Sequence, residues 1–242
     1  MPKEPLPPFD LPPGRVLAGQ YVIERHLGSG YEGEVYRVSE KRTGALRAAK
    51  LFYPERNPKD RAIRFYAEKL ERLRDCPILT RYHHSETVRV KSETTVMLVS
   101  ELAEGVMLDR FVRARRGKRL PEFEALALLA ETARGLAQIH DRREYHGDLH
   151  SDNIMLNPTG VRFNVKLIDF HNYGRSTRDL IAGDVADLIR IFYDTLGGKR
   201  HYASHSKPVK HVCAGLRKSL IRERFPTARH LAAHLQSFEW DR

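Results

Sequence analysis

The spacing of the hydrophobic residues changes from mainly alternating to mainly helical close to Gly105, and this change limits the fold more than any other feature. Before it, apolar and polar residues alternate in short runs such as 21–27 and 34–38, which is typical of half-buried strands. After it, apolar residues recur at spacings of three and four, as on helices with one buried face. The sequence therefore predicts a strand-rich first part and a helix-rich second part.

The same pattern predicts individual elements. In the first part it predicts one helix, within residues 58–74. It also predicts five strands there, at 21–27, 34–38, 45–52, 87–91 and 94–100. In the second part a long helix begins at Pro121, and two more are predicted at 185–196 and 226–238. Strands with one helix, followed by a group of helices, indicate the α+β class.

Composition limits the kind of protein this is. The chain has 242 residues, 41% of them hydrophobic, which is enough for one large or two-lobed domain. No apolar run approaches the ~20 residues of a membrane helix, so no membrane partner is expected. The first thirteen residues include six prolines and no apolar signal core, and we interpret residues 1–15 as an extended arm. Cys76 and Cys213 lack metal-type spacing and are interpreted as buried thiols of a cytoplasmic protein.

The charge balance indicates which partners to expect. The formal net charge is +11, which favours nucleotide phosphates, nucleic acids or acidic proteins. Basic residues are densest at 110–119, a run that fits either a solvated loop or a binding surface. Phe111 is its one aromatic residue, whereas single-stranded nucleic acid is bound on several stacked aromatics. We therefore favour an acidic or folded protein substrate over nucleic acid, and leave the oligomeric state open.

A glycine cluster, G-S-G-Y-E-G-E-V, occupies residues 28–35 between the first two predicted strands. Alone it fits a hairpin turn, a dinucleotide fingerprint or a flap over nucleotide phosphates. A dinucleotide site requires a helix after the glycines, whereas a strand pattern follows here. Glycines let backbone N–H groups approach phosphates without an intervening side chain. This order favours a phosphate-binding flap, and its assigned residues are Gly28, Ser29, Gly30, Gly33 and Val35.

Lys50 lies on the third predicted strand, two residues after Ala48. A single lysine at a strand end is usually only solvated. In this register after the flap, however, its ammonium group would reach the α- and β-phosphates of a nucleotide. Glu68, on the following helix, is the expected ion partner of Lys50, and Glu71 on the same helix is the alternative.

Two acidic motifs follow in the second part. Residues 146–153 read H-G-D-L-H-S-D-N, which resembles the H-x-D-x-x-x-x-N catalytic loop of the protein-kinase superfamily. Residues 167–171 read L-I-D-F-H, which resembles the metal-binding D-F-G motif of the same superfamily. The flap, the strand lysine and these two motifs occur in kinase order and spacing. The chain resembles a compact, atypical, bacterial-type Ser/Thr protein kinase.

This resemblance implies a bilobal fold and a chemistry. One kinase domain would occupy residues 16–242, with an N-lobe at 16–99 (a five-stranded sheet and one helix), a hinge at 100–105 and a mainly helical C-lobe at 106–242. ATP and Mg²⁺ would be required. Asp148 would orient or deprotonate the acceptor hydroxyl, Lys50 would orient the phosphates, and Asn153 and Asp169 would bind Mg²⁺.

Further assignments also come from the resemblance. Ala48, like Lys50, would belong to the nucleotide-binding site. Glu101 and Ala103 would supply the backbone contacts to adenine, after Ser100 at the gatekeeper position. His150 replaces the usual lysine and would touch the γ-phosphate. Asp184 would start the central helix of the C-lobe and anchor the backbone of the catalytic loop.

The chain departs from the kinase pattern in ways that keep alternatives open. Gly147 stands where many protein kinases have an arginine that pairs with a phosphorylated loop, and His171 stands where D-F-G has glycine. Fourteen residues separate Asp169 from Asp184, and no A-P-E motif follows. The string H-G-D-L-H also suits a small-molecule kinase of the aminoglycoside-phosphotransferase type. A nucleotide-binding pseudokinase is a third alternative, although the retained Lys50, Asp148, Asn153 and Asp169 oppose it.

We expect activity without phosphorylation of the chain, because Gly147 cannot pair with a phosphate and the segment after Asp169 is short. Phosphatase-treated protein should turn over at the rate of a mock-treated sample, measured with saturating Mg-ATP. A loss of more than about tenfold, roughly 1.4 kcal/mol in barrier height, would contradict this expectation.

Overall fold

The computed structural model describes residues 7–160 and 162–238, which form two compact units. The first unit contains the described residues up to Asp75 together with Thr80–Ala103. The second contains Cys76–Leu79 and the described residues from Glu104 onward. Strands dominate the first unit and helices the second, so the predicted bilobal α+β fold is confirmed. Residues 76–79, which the sequence assigned to the N-lobe, pack with the second unit.

The first unit is an antiparallel sheet with one α-helix, α1 (Arg61–Arg72), among its described residues. The strands are β1 (Val16–Leu17), β2 (Tyr21–Ser29), β3 (Gly33–Glu40), β4 (Leu46–Phe52), β5 (Tyr82–Val90) and β6 (Glu93–Glu101). Their order in the sheet is β1-β2-β3-β4-β6-β5. The five predicted strands are all present. The edge strand β1 was not predicted, because two residues are too few to show an alternating pattern.

Residues assigned to nucleotide binding share one face of this sheet. Val35 on β3 pairs with Lys50 on β4, and Ala48 on β4 pairs with Ser100 on β6. Directly paired residues in a sheet point to the same face, as do residues two apart on one strand. Val35, Ala48, Lys50 and Ser100 therefore lie on a common face.

The opposite face of the sheet is packed. Its residues alternate with those of the first face and are at most 1% exposed; they include Tyr36, Val38, Ala49, Leu51 and Val99. The core of the first unit thus lies behind the strands that present Lys50.

The proline-rich segment differs from the extended arm that its composition predicted. Phe9 and Leu11 are 6% and 5% exposed and belong to the cluster on the packed face of the sheet. The backbone N–H of Gly14 donates to the carbonyl of Ile23 on β2, at 2.8 Å. Two apolar side chains among exposed prolines thus dock the segment on the sheet. Residues 1–6, the rest of the expected arm, lie outside the described residues.

The second unit contains a small sheet and a group of helices. Its strands are β7 (Val106–Met107), β8 (Ile154–Thr159) and β9 (Arg162–Leu167), in the order β7-β8-β9. Its α-helices are α2 (Leu108–Arg113), α3 (Glu122–Asp141), α4 (Arg178–Thr195), α5 (Lys207–Cys213), α6 (Lys218–Arg224) and α7 (Ala228–Gln236). The buried helix α3 packs against α4, α7 and β9. None of the helices in the described part of the chain combines the length and apolar character that a membrane crossing requires.

Helix α4 begins seven residues before its predicted start. The sequence placed the start at residue 185, because glycine and aspartate precede it. In the structure Thr177 caps the helix, since its Oγ1 accepts a hydrogen bond from the N–H of Leu180 at 3.2 Å. The connection between Asp169 and α4, here named the linking segment, is therefore only residues 170–177.

Gly33 is fixed by a close approach of two strands. A Cβ atom at Gly33 would lie 1.9 Å from the carbonyl oxygen of Leu51 on β4. A Cβ at Gly28, by contrast, would meet no described atom within 4 Å. Gly33 is thus required because the neighbouring strand leaves no room for a side chain. Gly28 has open space around it, so its lack of a side chain is not required by packing.

We expect Gly33→Ala to destabilise the protein and Gly28→Ala to be tolerated. The first change forces β3 and β4 apart and should lower the free energy of unfolding by about 1–3 kcal/mol. The second should change it by less than about 0.5 kcal/mol. Urea denaturation of both variants measures this. Equal stabilities would show that the strand contact at Gly33 can relax at no cost.

Candidate active site

Lys50 is held on β4 with its side chain 15% exposed. Its Nζ lies 3.0 Å from Oε2 of Glu32 in the flap, and 4.0 Å from the ring centroid of Tyr66 on α1. The ammonium group thus contacts a carboxylate of the flap and the face of an aromatic ring, a contact that stabilises a cation. The flap and the strand lysine, which the sequence assigned to one function, are therefore in contact.

Glu68 does not face Lys50 in this structure. The inner face of α1 carries Ile63, Tyr66 and Leu70, which are buried at spacings of three and four residues. Glu68 comes two residues after Tyr66, about 200° further around the helix, and is exposed. The alternative, Glu71, is ion-paired with Arg74 at 2.8 Å. An ion pair between Lys50 and Glu68 stays a prediction that would require α1 to rotate about its axis.

Hydrogen bonds hold the end of β6, the segment at which the sequence predicts contacts to adenine. The backbone N–H of Glu101 donates to the carbonyl of Arg81 at 2.8 Å, and its carboxylate accepts from the N–H of Arg81 at 3.1 Å. Ala103, two residues on, is half-buried and lies outside the strand. At the other end of the site, a Cβ at Gly30 would meet no described atom within 4 Å. The flap therefore has room for a ligand beside its first two glycines.

In the second unit, the backbone of the catalytic loop is held by a buried carboxylate. Asp184 on α4 is 1% exposed. It accepts hydrogen bonds from the backbone N–H of His146, at 2.6 Å, and of Gly147, at 2.8 Å. The predicted anchoring role agrees with these bonds. The predicted position at the helix start is wrong, because α4 begins at Arg178 and Asp184 lies inside it.

His140 extends this network and was missed by the sequence analysis. The backbone N–H of Ala228, at the start of α7, donates to Nδ1 of His140 at 3.1 Å. In the neutral ring the proton is therefore on Nε2, which donates to Asp184 at 3.2 Å. His140 is 6% exposed at the end of the apolar helix α3. The one signal for this role in the sequence was a polar residue, His140, at a core position of a predicted helix.

Gly147 adopts a backbone conformation that explains its departure from the kinase pattern. Its φ of 86° lies in the left-handed region that favours glycine. A Cβ there would lie 3.0 Å from the carbonyl oxygen of His171. Arginine at this position would therefore strain the loop. His171 itself is absent from the residues with positive φ in the described chain, so a histidine fits there.

Asp148 and Asn153 are joined directly. The side-chain amide of Asn153 donates to the carbonyl of Asp148 at 2.8 Å and to its carboxylate at 3.3 Å. This orients the amide so that Oδ1, the atom a cation needs, points away from Asp148. His150 lies beside them, with Nε2 3.7 Å from the Asp148 carboxylate and Nδ1 accepting from the N–H of Asp152 at 3.3 Å. The structure thus brings three predicted site residues together on one loop.

Asp169 lies at the end of β9, next to the strand that follows Asn153. The N–H of Ile168 donates to the carbonyl of Asn153 at 3.0 Å. Asp169 has a φ of 55°, a costly conformation for a residue with a side chain and typical of functional positions. His146 stabilises this turn: its ring stacks on Phe170 at 4.9 Å, and its Nε2 donates to the carbonyl of Ile168 at 3.0 Å.

The donor chemistry of Asn153 and Asp169 fits Mg²⁺. An amide oxygen and a carboxylate are hard oxygen ligands, and Mg²⁺ keeps several waters or phosphate oxygens of its own. The described residues contain no cluster of three or more His, Cys, Asp or Glu side chains that could enclose a metal alone. The loops therefore suit a cation that arrives with a phosphate ligand better than a fully protein-bound metal.

The linking segment is held by Tyr145. The Tyr145 hydroxyl accepts from the N–H of Tyr173 at 2.8 Å and donates to the carbonyl of Gly174 at 2.9 Å. Burial raises the pKa of Tyr145, so the phenol keeps the proton that it donates. The side chain of Asn172 accepts from the N–H of Gly174 at 2.9 Å. These contacts fix a turn directly beside the catalytic loop.

Known proteins resemble this chain in sequence. A family model described as Protein kinase domain matches residues 21–179. Smooth-muscle myosin light chain kinase of Gallus gallus is 31% identical over 193 residues, which cover 72% of this chain and 9% of that protein. Serine/threonine-protein kinase pkn2 of Myxococcus xanthus is 31% identical over 164 residues, which cover 66% of this chain and 19% of pkn2.

A solved structure resembles it in fold. The PknI kinase domain of Mycobacterium tuberculosis superposes with a TM-score of 0.66 at 22% identity, covering 93% of this chain and 98% of that chain. The two units and the loops that they carry define a kinase-like enzyme fold. With a family model matching residues 21–179, the chain belongs to the protein kinase domain family. It spans 9% to 19% of the length of the two relatives named above.

We expect Tyr145→Phe to loosen the linking segment. The change removes both hydrogen bonds of the hydroxyl, together worth about 2 kcal/mol, so the Tyr173 amide should exchange up to about thirtyfold faster. Hydrogen exchange read by mass spectrometry measures this. Tyr193→Phe is the control, because Tyr193 is a half-buried tyrosine on α4 whose ring contacts Tyr202. Equal exchange in both variants would mean that Tyr145 does not hold the segment.

Proposed function

We propose that this chain transfers the γ-phosphate of Mg-ATP to a Ser or Thr hydroxyl of a protein. One observation carries the proposal: Asn153 is hydrogen-bonded to Asp148 and lies beside the strand end that presents Asp169. An acceptor-side carboxylate and two cation-binding oxygen donors are the groups that phosphoryl transfer requires. Family membership supports the same reaction, since the named relatives are protein kinases.

The residues of the chain would act by positioning and electrostatics. Asp148, about half exposed, would accept a hydrogen bond from the acceptor hydroxyl and take its proton as the hydroxyl oxygen bonds to the γ-phosphorus. The bond from the γ-phosphorus to the β–γ bridging oxygen would break in the same step, and ADP would leave. Asn153 holds the Asp148 carboxylate in place. Mg²⁺, when bound through Asn153 and Asp169, would neutralise charge on the phosphates. His150 would donate a hydrogen bond near the transferred phosphate.

In the first unit, Lys50 would orient the nucleotide phosphates on the sheet face that it shares with Val35 and Ala48. Glu32 contacts the Lys50 ammonium group, which the phosphates would also approach. Phosphate binding would therefore displace the Glu32 carboxylate, because two anions at one ammonium group repel each other. Glu101 and Ala103 would supply backbone contacts to adenine at the end of β6.

The surface near Asp148 supports a protein substrate with basic residues near its acceptor. A cavity of about 230 Å³ beside the catalytic loop is lined by Asp109, Asp187 and Asp194, together with Arg190. Burial, reinforced by Asp184, raises the pKa of Asp187, and burial raises that of Asp194. A cationic substrate side chain would favour the charged form of both carboxylates. An acidic surface on a folded, cytoplasmic partner would instead meet the exposed basic residues of 110–119.

The small-molecule kinase and the pseudokinase, the two alternative functions, account for different features of the structure. A small-molecule kinase would suit the short linking segment, which offers little platform for a peptide. A pseudokinase would have no use for an Asp148 held by Asn153. Identification of the labelled product after incubation with radiolabelled ATP and a host lysate separates the three possibilities.

We expect Asp148→Asn to lower kcat by about 10²-fold or more and to leave ATP affinity unchanged. The asparagine cannot accept the proton, but the groups assigned to the nucleotide remain. Radiolabel transfer measures kcat, and calorimetry measures ATP affinity. Asp152→Asn is the matched control, because Asp152 lies on the same loop and its side chain is 59% exposed. Retention of kcat by the Asp148 variant would refute the mechanism.

A further inference from the structure

A carboxylate is buried directly after the last glycine of the flap. Glu34 is 1% exposed, on the packed face of β3, whereas the next residue, Val35, belongs to the face that carries Lys50. Backbone pairing places Glu34 opposite Ser29 on β2 and Leu51 on β4. The side chain of Glu34 thus lies behind the point where the flap returns to the sheet.

The donors to this carboxylate are uncharged. The backbone N–H of Phe9 donates to Oε1 at 2.7 Å, the Tyr53 hydroxyl donates to Oε1 at 2.9 Å, and the Tyr36 hydroxyl donates to Oε2. Burial and the bond to Glu34 raise the pKa of Tyr36, and raise that of Tyr53 to about 12. Both phenols therefore keep their protons as donors. A buried carboxylate needs such donors, because water cannot reach it.

One of these donors comes from the proline-rich segment, which is held in place by contacts of its own. The Phe9 ring packs on Tyr53 with centroids 5.0 Å apart. The N–H of Leu11 donates to the Tyr36 hydroxyl at 3.2 Å, and Lys91 Nζ donates to the carbonyl of Pro8 at 3.0 Å. Residues 8–11 therefore close over the carboxylate, while the side chains of Phe9 and Leu11 pack on the buried face of the sheet.

Between its ends the flap is held by two side chains: the Tyr31 hydroxyl accepts from Arg56 at 2.8 Å, and Glu32 is ion-paired with Lys50 at 3.0 Å. Gly28 and Gly30 face open space on the side where a Cβ would lie. The returning end is fixed by the N–H of Tyr53, which donates to the carbonyl of Glu32 at 2.8 Å, and by Glu34. Because the glycines add no side-chain packing, the fixed returning end is one of the few contacts that set where the flap rests.

We propose that residues 8–11 are a latch that positions the nucleotide flap by holding Glu34. With the latch docked, the end of the flap is fixed and its backbone N–H groups are arranged for phosphate. With the latch released, Glu34 is solvated, the end of the flap moves, and ATP binds more weakly. Phe9 and Glu34 are positioning residues and touch no reacting atom. The inference rests on the proposed function for its kinetic effect, but not for the mobility of the flap.

Full-chain variants test the latch. Phe9→Ala removes the packing, and Glu34→Gln keeps the shape but removes the charge that the three donors hold. Each should raise KM for ATP by about fivefold or more, with kcat at saturating ATP within about twofold of wild type. The double variant should be no worse than Glu34→Gln alone, because both changes act through one contact. Val88→Ala, in the same buried cluster but on β5 at the far edge of the sheet, should leave KM unchanged.

Hydrogen exchange of residues 28–33 gives a second readout that needs no activity. Exchange should be faster in Phe9→Ala and Glu34→Gln than in wild type or Val88→Ala. If wild type neither binds nor uses Mg-ATP, the proposed function fails while the latch is still tested by exchange. Unchanged KM and unchanged exchange in both variants, or additive effects in the double variant, would overturn the latch. If Phe9→Ala does not fold, Tyr53→Phe removes one donor and should produce the same changes.

Discussion

The catalytic loop depends on a single buried carboxylate. Asp184 accepts hydrogen bonds from two consecutive backbone N–H groups of the loop and from His140. Because a buried charge without partners is costly, this arrangement is stable only when α4, the loop and α3 are all in place. His140 in turn accepts from the first residue of α7. The position of Asp148 is therefore set by helices that are distant from it in sequence.

The first unit uses the same physical device at its own loop. Glu34 is buried behind the flap, and its donors come from β3, from Tyr53 after β4, and from the proline-rich segment. In both units a buried acidic side chain accepts hydrogen bonds from separated parts of the chain and joins them beside a loop. Hydrogen bonds to a buried carboxylate are short and directional, so they define a loop position more sharply than apolar contacts do.

The departures from the kinase pattern form a consistent set. Gly147 has a left-handed backbone that disfavours arginine, and no phosphate-binding side chain is present at that position. The linking segment is only eight residues long and is held by Tyr145. In the flap, Glu32 contacts Lys50, so the strand lysine is held by an acidic group of the same unit.

The sequence by itself determined the α+β order, the five main strands, the long helix α3 and the motifs of the site. These are local features: alternation, helical spacing and short strings report on neighbours along the chain. The tertiary structure alone decided which side chains meet. The rotation of α1 places Tyr66 and not Glu68 against Lys50, and the capping by Thr177 extends α4 past Asp184. It also decided that Phe9 completes the shell around Glu34, because the partner of a buried charge depends on packing between segments that no local pattern connects.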